Sequence, residues 1–479
     1  MAKDLGIQSQ KDEDTNKWYT ELITKGNLIE YTDVSGCYIL RPKAQFMWDT
    51  IREYIDKLIK EDGVQNASFP LFIPESLLLK EQEHVEGFAP EVAWVTHAGD
   101  TKLNEKLAIR PTSETIMYAA YAKWIRSYND LPLRLNQWCN IVRWEFKHPQ
   151  PFLRSREFFW QEGHTVFETA DEAKKETKDI LLNIYKKTYE DLLAVPCLVG
   201  YKSDKEKFAG AEYSMSCEVY LPIGKAIQGC TTHFLGQNFS KAFGIKFMTK
   251  DEKEDYGYQN SWGFTTRSIG VAIMAHSDSK GLVIPPKIAQ NKIVIIPITK
   301  KENEKEVIEF SDNLAKELKE FSPYVDKRNK SFGFKLNDAE LGGYPIRLEI
   351  GGKEIESKEV VLTRRDTLEK TKIKLTDIKK TIKKTLEDIH INLFKKAKKL
   401  LEENIVEEYS DLNKIIKYVK AGKIVRTCYD GTIETEDILK DKTTGKTLVI
   451  PFEEEDVSKL KCPFSNNSAK HIVYVAKSL

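Results

Sequence analysis

The stretch PFLRSREFFWQEGHTVF, Pro151–Phe167, follows closely on IVRWEFKHP, Ile141–Pro149, and the pair decides how the chain is read. The two segments interleave Arg143, Arg154 and Arg156 with Trp144, Phe146, Phe158, Phe159 and Trp160. Rings packed so densely leave little room for fully solvated cations. Burying several guanidinium groups is costly unless anions meet them. Glu145, Glu157 and Glu162 could be those anions, which would make the segment a structural ion-pair cluster. The alternative is an anion from outside the chain: a polyphosphate gripped by planar arginine forks, its base stacked on a ring.

Composition narrows the setting. The chain has 479 residues and a net charge of +1, with 31% charged residues of both signs. That length predicts two to four domains, and the balance excludes a globally basic nucleic-acid binder, so any basic patch is local. No apolar h-region opens the sequence and no run approaches the roughly 20 residues that span a bilayer. A secretory signal and a membrane span are therefore not expected. The seven cysteines are scattered with no CxxC pair, which reads as free thiols in a reducing cytoplasm.

Periodicity sets out the organisation. AQFMWDTIREYIDKLIKEDG repeats apolar residues at helical spacing (Phe46, Met47, Ile51, Ile55, Leu58, Ile59) and stops at Gly63. LRLNQWCNIVRWEF, EFFWQEGHTVFE and EVYLPI read as strands, so residues 1–285 are expected to form an α+β domain on a largely antiparallel sheet. Pro285 and Pro286 mark a linker. Beyond it, KIVIIPI, YPIRLEIG and EVVLTRRD read as strands, with helices over Glu302–Phe321 and from Asp377 onward. This predicts a small α/β domain with a mixed sheet over 286–390, and a third, α+β piece over 391–479 ending in a strand at HIVYVAKSL. The helix beyond Asp377 puts apolar residues on one face and crowds the other with Lys379, Lys380, Lys383, Lys384, Lys395, Lys396, Lys398 and Lys399. The face is either solvated or laid against an RNA backbone.

VRWE followed by RSREF resembles motif 2 of the class II aminoacyl-tRNA synthetases. SGCYILRPKAQFMWDTIREYI resembles motif 1, a dimer-forming helix leading to a strand, and SWGFTTRSIGVAIMAH resembles motif 3 with its arginine, Arg267. RPTSET, AIQGCTTHFLGQNFSKAFGI and NDAELGGYPIRLEIG are further similar to the prolyl-tRNA synthetases of the eukaryotic and archaeal type. The resemblance implies a class II catalytic domain, an anticodon-binding domain and the family's C-terminal domain. It implies a homodimer formed through the motif 1 region that joins L-proline to tRNA(Pro) through a prolyl-adenylate, with ATP as substrate and Mg²⁺ as cofactor.

Residue roles follow from the same resemblance. Arg143 bridges the proline carboxylate and the α-phosphate, and Arg267 clamps the triphosphate with Thr265 nearby. Glu145 meets the adenine amino group, Phe158 stacks on adenine, and Arg154 with Ser155 holds the outer phosphates. Gln228 and Thr231 contact the nucleotide, and Gln228 with Glu218 is the candidate Mg²⁺ pair. Thr112 and Glu114 accept from the proline ammonium; Trp160, His233, Ser261 and Gly263 wall the ring pocket, and Phe88 caps it from a mobile loop. Lys327, Arg328 and Arg347 could face the anticodon. The C-terminal domain of the family often holds zinc through four cysteines, whereas this region has only Cys428 and Cys462, so no zinc is expected. Gly163–Trp262 is too short for an editing insertion, and the chain is expected to carry one catalytic function rather than two. Two readings compete: a sister ligase such as the threonine enzyme, and a synthetase-like RNA-binding protein without catalysis.

Overall fold

The computed structural model describes residues 6–84 and 91–479. Its first long helix, α1 (Pro42–Glu61), starts where the sequence predicts and for a clear reason. Pro42 sits in the first turn, where its missing N–H costs nothing, and Ala44, Met47, Trp48, Ile51, Ile55 and Ile59 line the buried face. The helix ends at Gly63, which takes φ = 87°, a left-handed conformation that favours glycine.

This helix backs the sheet that carries the site. Among the described residues that sheet has seven strands: β1 (Gln65–Asn66), β2 (Leu133–Val142), β3 (Glu157–Phe167), β4 (Leu198–Tyr201), β5 (Tyr213–Leu221), β6 (Lys225–Gly236) and β7 (Tyr258–Thr265), in spatial order β1-β2-β3-β7-β6-β5-β4. All neighbours pair antiparallel except β1 with β2. Two helices matter to the site: α2 (Glu114–Trp124) and α3 (Arg267–His276). A helical segment over 170–192, with β4, β5 and β6, occupies the interval between the stretches that resemble motifs 2 and 3. Trp18, α1, α3, Tyr185, Tyr189 and Phe264 pack into one core behind the sheet.

The second sheet has spatial order β9-β8-β10-β11-β12, built from β8 (Ile293–Pro297), β9 (Pro323–Val325), β10 (Ile346–Ile350), β11 (Glu359–Arg364) and β12 (Lys370–Lys374). It is mixed, as predicted: β9, β8 and β10 run parallel, while β11 and β12 pair antiparallel. Helix α4 (Glu304–Glu317) is shorter than the sequence reading, giving way to a tighter turn over Lys319–Phe321. Helix α5 (Ile378–Asn404) runs unbroken through residue 390, where the sequence placed a domain boundary. Its apolar stripe is continuous, with Ile382, Leu386, Ile389 and Leu393 all buried, so nothing local interrupts it.

The third sheet has order β13-β14-β16-β15: β13 (Ile405–Glu407), β14 (Ile424–Tyr429), β15 (Lys446–Thr447) and β16 (His471–Ala476), the predicted terminal strand. In this domain Asp430 acts as a hub. Its carboxylate accepts from the Thr432 amide (3.1 Å), Thr435 Oγ1 (3.0 Å), Ser465 Oγ (2.7 Å) and Asn467 Nδ2 (2.8 Å). Burial alone would raise its pKa, but these donors win and hold it far below the usual carboxylate range. Cys428 and Cys462 are both buried, and the Cys428 thiol points at the carbonyls of Tyr409 (3.6 Å) and Lys461 (3.5 Å). The domain docks on the first sheet: the Ala226 amide of β6 donates to the Lys477 carbonyl (2.8 Å), and the Leu479 amide donates back to Ala226 (2.9 Å).

Candidate active site

Strand β3 alternates, so Trp160, Glu162 and His164 share one face, and that face forms the floor of a cleft of about 270 Å³. Into this cleft the fold brings Thr112, Glu114, Arg143, Ser155, Phe158, Trp160, Gln228, Thr231, His233, Ser261, Gly263, Thr265 and Arg267. These come from β2, β3, β6, β7 and the starts of α2 and α3, none adjacent in sequence to all the others.

Two guanidinium groups dominate. Arg143, just past β2, donates through Nε to the Pro111 carbonyl (3.0 Å) and lies 5.4 Å from the Trp160 ring and 5.9 Å from Phe158. Arg267 opens α3, whose start is fixed by its own amide donating to Thr265 Oγ1 (3.0 Å). Its side chain donates to the carbonyls of Leu153 (3.0 Å) and Gln228 (3.1 Å). Burial, helped by the fields of Arg143 and Arg154, lowers its pKa. Among the described residues neither arginine makes an ion pair. Two cations held in place by neutral carbonyls form a site for an anion.

The floor is organised differently. Glu162 is buried and accepts from the Ser113 amide (3.1 Å), Gln137 Nε2 (3.1 Å), Ser113 Oγ and Thr112 Oγ1 (3.3 Å). Its Oε2 also shares a hydrogen bond with His164 Nε2 (3.1 Å). Burial pushes its pKa up, but these donors bring it below the ordinary value; His164, buried beside Glu114 and Glu162, is correspondingly raised. Thr112 in turn donates to Glu114. Glu114, Glu162 and His164 lie close enough to share a metal ion, yet Glu162 already accepts from His164, Ser113 and Gln137, and the second ring nitrogen of His164 is engaged by Tyr118. The result is an acceptor-rich end to the cleft.

The walls of that end are apolar. His233 shares a 2.7 Å hydrogen bond with Ser214 Oγ, and its ring stands 4.7 Å from Phe208. Burial, then the charges of His164 and Arg143, lowers its pKa to about 3, so it is neutral near pH 7. At Gly263 a Cβ would come within 3.3 Å of the Trp160 ring. Ser261 Oγ and Trp160 Nε1 are buried without a hydrogen-bond partner among the described residues, polar atoms that a small polar ligand could satisfy.

Three predicted residues lie apart. Glu145 is exposed and does not line the cleft, because it follows the end of β2, where the chain turns away. Arg154 is also exposed; its guanidinium donates to the Leu479 carbonyl instead of facing the cleft. Glu218 is buried behind the lining, opposite Gln228 across the β5–β6 ladder. Its Oε1 accepts from Lys202 (3.2 Å) and Ser216 (2.9 Å), while Oε2 has no partner among the described residues. Phe88 lies outside the described residues. Of the arginines read as possible anticodon contacts, Arg347 is buried and paired with Glu349 (3.0 Å), which removes it from that role; Arg328 is tied to Asp326 (2.7 Å) and Asp338 (2.6 Å). Sequence reasoning gave His164, Gln137 and Phe208 no role, and Glu162 only that of a possible counter-anion. The period-2 register with Trp160 was the signal for Glu162 and His164; no local pattern marks Gln137 or Phe208.

Comparison with known proteins agrees with this arrangement. Residues 94–276 match the tRNA synthetase class II core domain (G, H, P, S and T), 292–385 the anticodon binding domain, and 412–479 the prolyl-tRNA synthetase C-terminal domain. The chain is 44% identical to proline–tRNA ligase 2 of Bacillus cereus over 482 residues, covering all of both chains. It is 45% identical to the proline–tRNA ligase of Alkaliphilus oremlandii over 97% of this chain and 96% of that one. It is 46% identical to the bifunctional glutamate/proline–tRNA ligase of Mus musculus, over 94% of this chain and 31% of the mouse protein. A crystal structure of prolyl-tRNA synthetase from Cryptosporidium parvum, complexed with halofuginone and AMPPNP, superposes with a TM-score of 0.95 at 44% identity, covering 99% of this chain and 100% of that one. With three domain matches in order and relatives covered end to end, the chain belongs to the prolyl-tRNA synthetase family of class II aminoacyl-tRNA synthetases.

Proposed function

We propose that this chain attaches L-proline to tRNA(Pro) in two steps, through a prolyl-adenylate, with release of pyrophosphate and then AMP. The observation that carries the reading is the unpaired couple Arg143 and Arg267, set beside an acceptor-rich, apolar-walled pocket. Activation joins a carboxylate to the α-phosphate of ATP, so the work is placement and neutralisation of charge rather than covalent catalysis. Arg143 grips both partners from the middle of the cleft, which calls for a bidentate donor. Arg267 holds the triphosphate from the side of α3, with Thr265, Gln228 and Thr231 around it, and Phe158 stacks on adenine. Thr112 and Glu114 accept the two protons of the secondary ammonium, and Trp160, His233, Ser261 and Gly263 enclose the ring.

Gln228 and the partnerless oxygen of Glu218 would hold Mg²⁺; hard oxygens suit an ion that keeps several waters and leans on substrate phosphates. The ion supplies further neutralisation of the leaving pyrophosphate. We assign the active form as a homodimer through the motif 1 region. Tyr31, Val34, Ile39 and Phe46 support this, being large apolar residues left exposed there. No helix among the described residues is long and apolar enough to cross a membrane. The seven free cysteines favour the cytoplasm. Pyrophosphate exchange measured across amino acids tests the reading: proline-dependent exchange supports it, and exchange with threonine alone, or none, overturns it.

A further inference from the structure

Helix α5 carries its charge in two unlike halves. In its C-terminal half two of the four lysines are answered by acids one turn on, Lys398 by Glu402 (3.8 Å) and Lys399 by Glu403 (3.6 Å), and a third, Lys396, donates to the Asp366 carbonyl (3.0 Å). In its first two turns Lys379, Lys380, Lys383 and Lys384 are all exposed, and none makes an ion pair among the described residues. The neighbouring edge strand β12 adds Lys372 and Lys374, also exposed and in no ion pair among the described residues, although Glu359 stands opposite Lys374 in the ladder. From Lys370 to Lys399 there are eleven lysines against Asp377, Glu387 and Asp388, a net of +8; the whole chain has +1, which leaves −7 for everything else.

This placement works against the helix itself. Cations in a first turn oppose the macrodipole. The pairs Lys379/Lys383 and Lys380/Lys384 are like charges one turn apart, which repel. The first turn holds no acid, and the N-cap residue Asp377 makes no side-chain cap bond. Shielding the edge of β12 requires only a lysine or two on that strand, and solubility is served equally by the paired pattern of the other half. Burial explains none of these residues either, since the packed face is Ile378, Ile382, Leu386 and Ile389.

We infer that the β12–α5 lysine ridge is a second tRNA contact that tracks the phosphate backbone and reads no base. The inference rests on tRNA being the substrate; a polyanion then offsets repulsion that the free chain bears alone. The full-length double variant Lys379→Gln/Lys383→Gln tests it, with Lys398→Gln/Lys399→Gln as the matched control. Removing two phosphate contacts is expected to raise KM for tRNA about tenfold and to make the slope of log affinity against log salt shallower by about 1.5. Proline-dependent pyrophosphate exchange stays unchanged and the melting temperature stays level or rises. The control pair leaves the tRNA terms within about twofold. Unchanged KM and slope in the first variant, equal losses in both, or binding to anionic vesicles that survives excess tRNA would each overturn the ridge. Loss of exchange in the unmodified protein would instead strike at the parent reading of function.

Discussion

Arginines that the fold encloses occur in two kinds of place in this molecule. Away from the cleft Arg134, Arg347 and Arg365 are answered by carboxylates, while Arg110 is held by the carbonyls of Phe69 (2.8 Å) and Asn140 (3.1 Å). Arg134 donates to Glu176 (2.7 Å) and also meets Asp62, and Arg365, almost fully buried, forks onto Asp278 at 2.7 and 2.8 Å, tying the second sheet to the end of α3. In the cleft, Arg143 and Arg267 find only carbonyl oxygens among the described residues. Paired charge, and Arg110 on its carbonyls, hold the fold together; unpaired, prepositioned charge that lines a cleft suits a ligand, because it needs no reorganisation when the anion arrives.

The sharpest way to break this contrast is Arg143→Ala. Exchange is expected to fall by about 10²–10³-fold, with urea unfolding unchanged; Arg143→Lys recovers little, since lysine offers no fork. Undiminished adenylate formation would erase the distinction. The opposite arm is Arg365→Ala. It removes a structural pair, so unfolding in urea is expected to report a loss of about 1–3 kcal/mol while exchange changes little; Asp278 is partly exposed, which keeps the loss at this scale.

The apolar walls give a third test. Gly263→Ala pushes a methyl group against Trp160, and KM for proline is expected to rise about 10-fold or more with kcat little affected. The smallest effect concerns pH. His233 binds its proton only near pH 3 when folded, and His276 and His390 only near 4, all lowered by burial. The unfolded chain protonates histidine near pH 6.5, so between about 4 and 6.5 it holds more protons than the folded one, and stability falls as pH falls. His233→Asn is expected to reduce that slope by roughly one proton, measured by urea unfolding from pH 5 to 7. An unaltered slope would mean that His233 is not held neutral.

The site residues that the fold sets apart from the cleft have a common cause. Glu145 and Arg154 matched a motif by spacing, but spacing along a loop does not fix where a side chain ends. Arg154 is exposed where residues 477–479 pass, and an acceptor more than 300 positions away in sequence holds it. The boundary placed at 390 falls inside a continuous helix because the periodicity of α5 runs on from one domain toward the next. Glu162 was legible only as a possible counter-anion, since its partners Ser113 and Gln137 arrive from other elements.

By itself the sequence determined what short-range periodicity and local chemistry control: α1 with its proline start and glycine stop, the alternation along β3, the mixed strands of the second domain, and the density of arginine among rings. Tertiary structure decided which of those arginines go unanswered. That is a question of whether a carboxylate from elsewhere in the chain comes within about 4 Å, and folding settles it by juxtaposing residues that no local pattern connects.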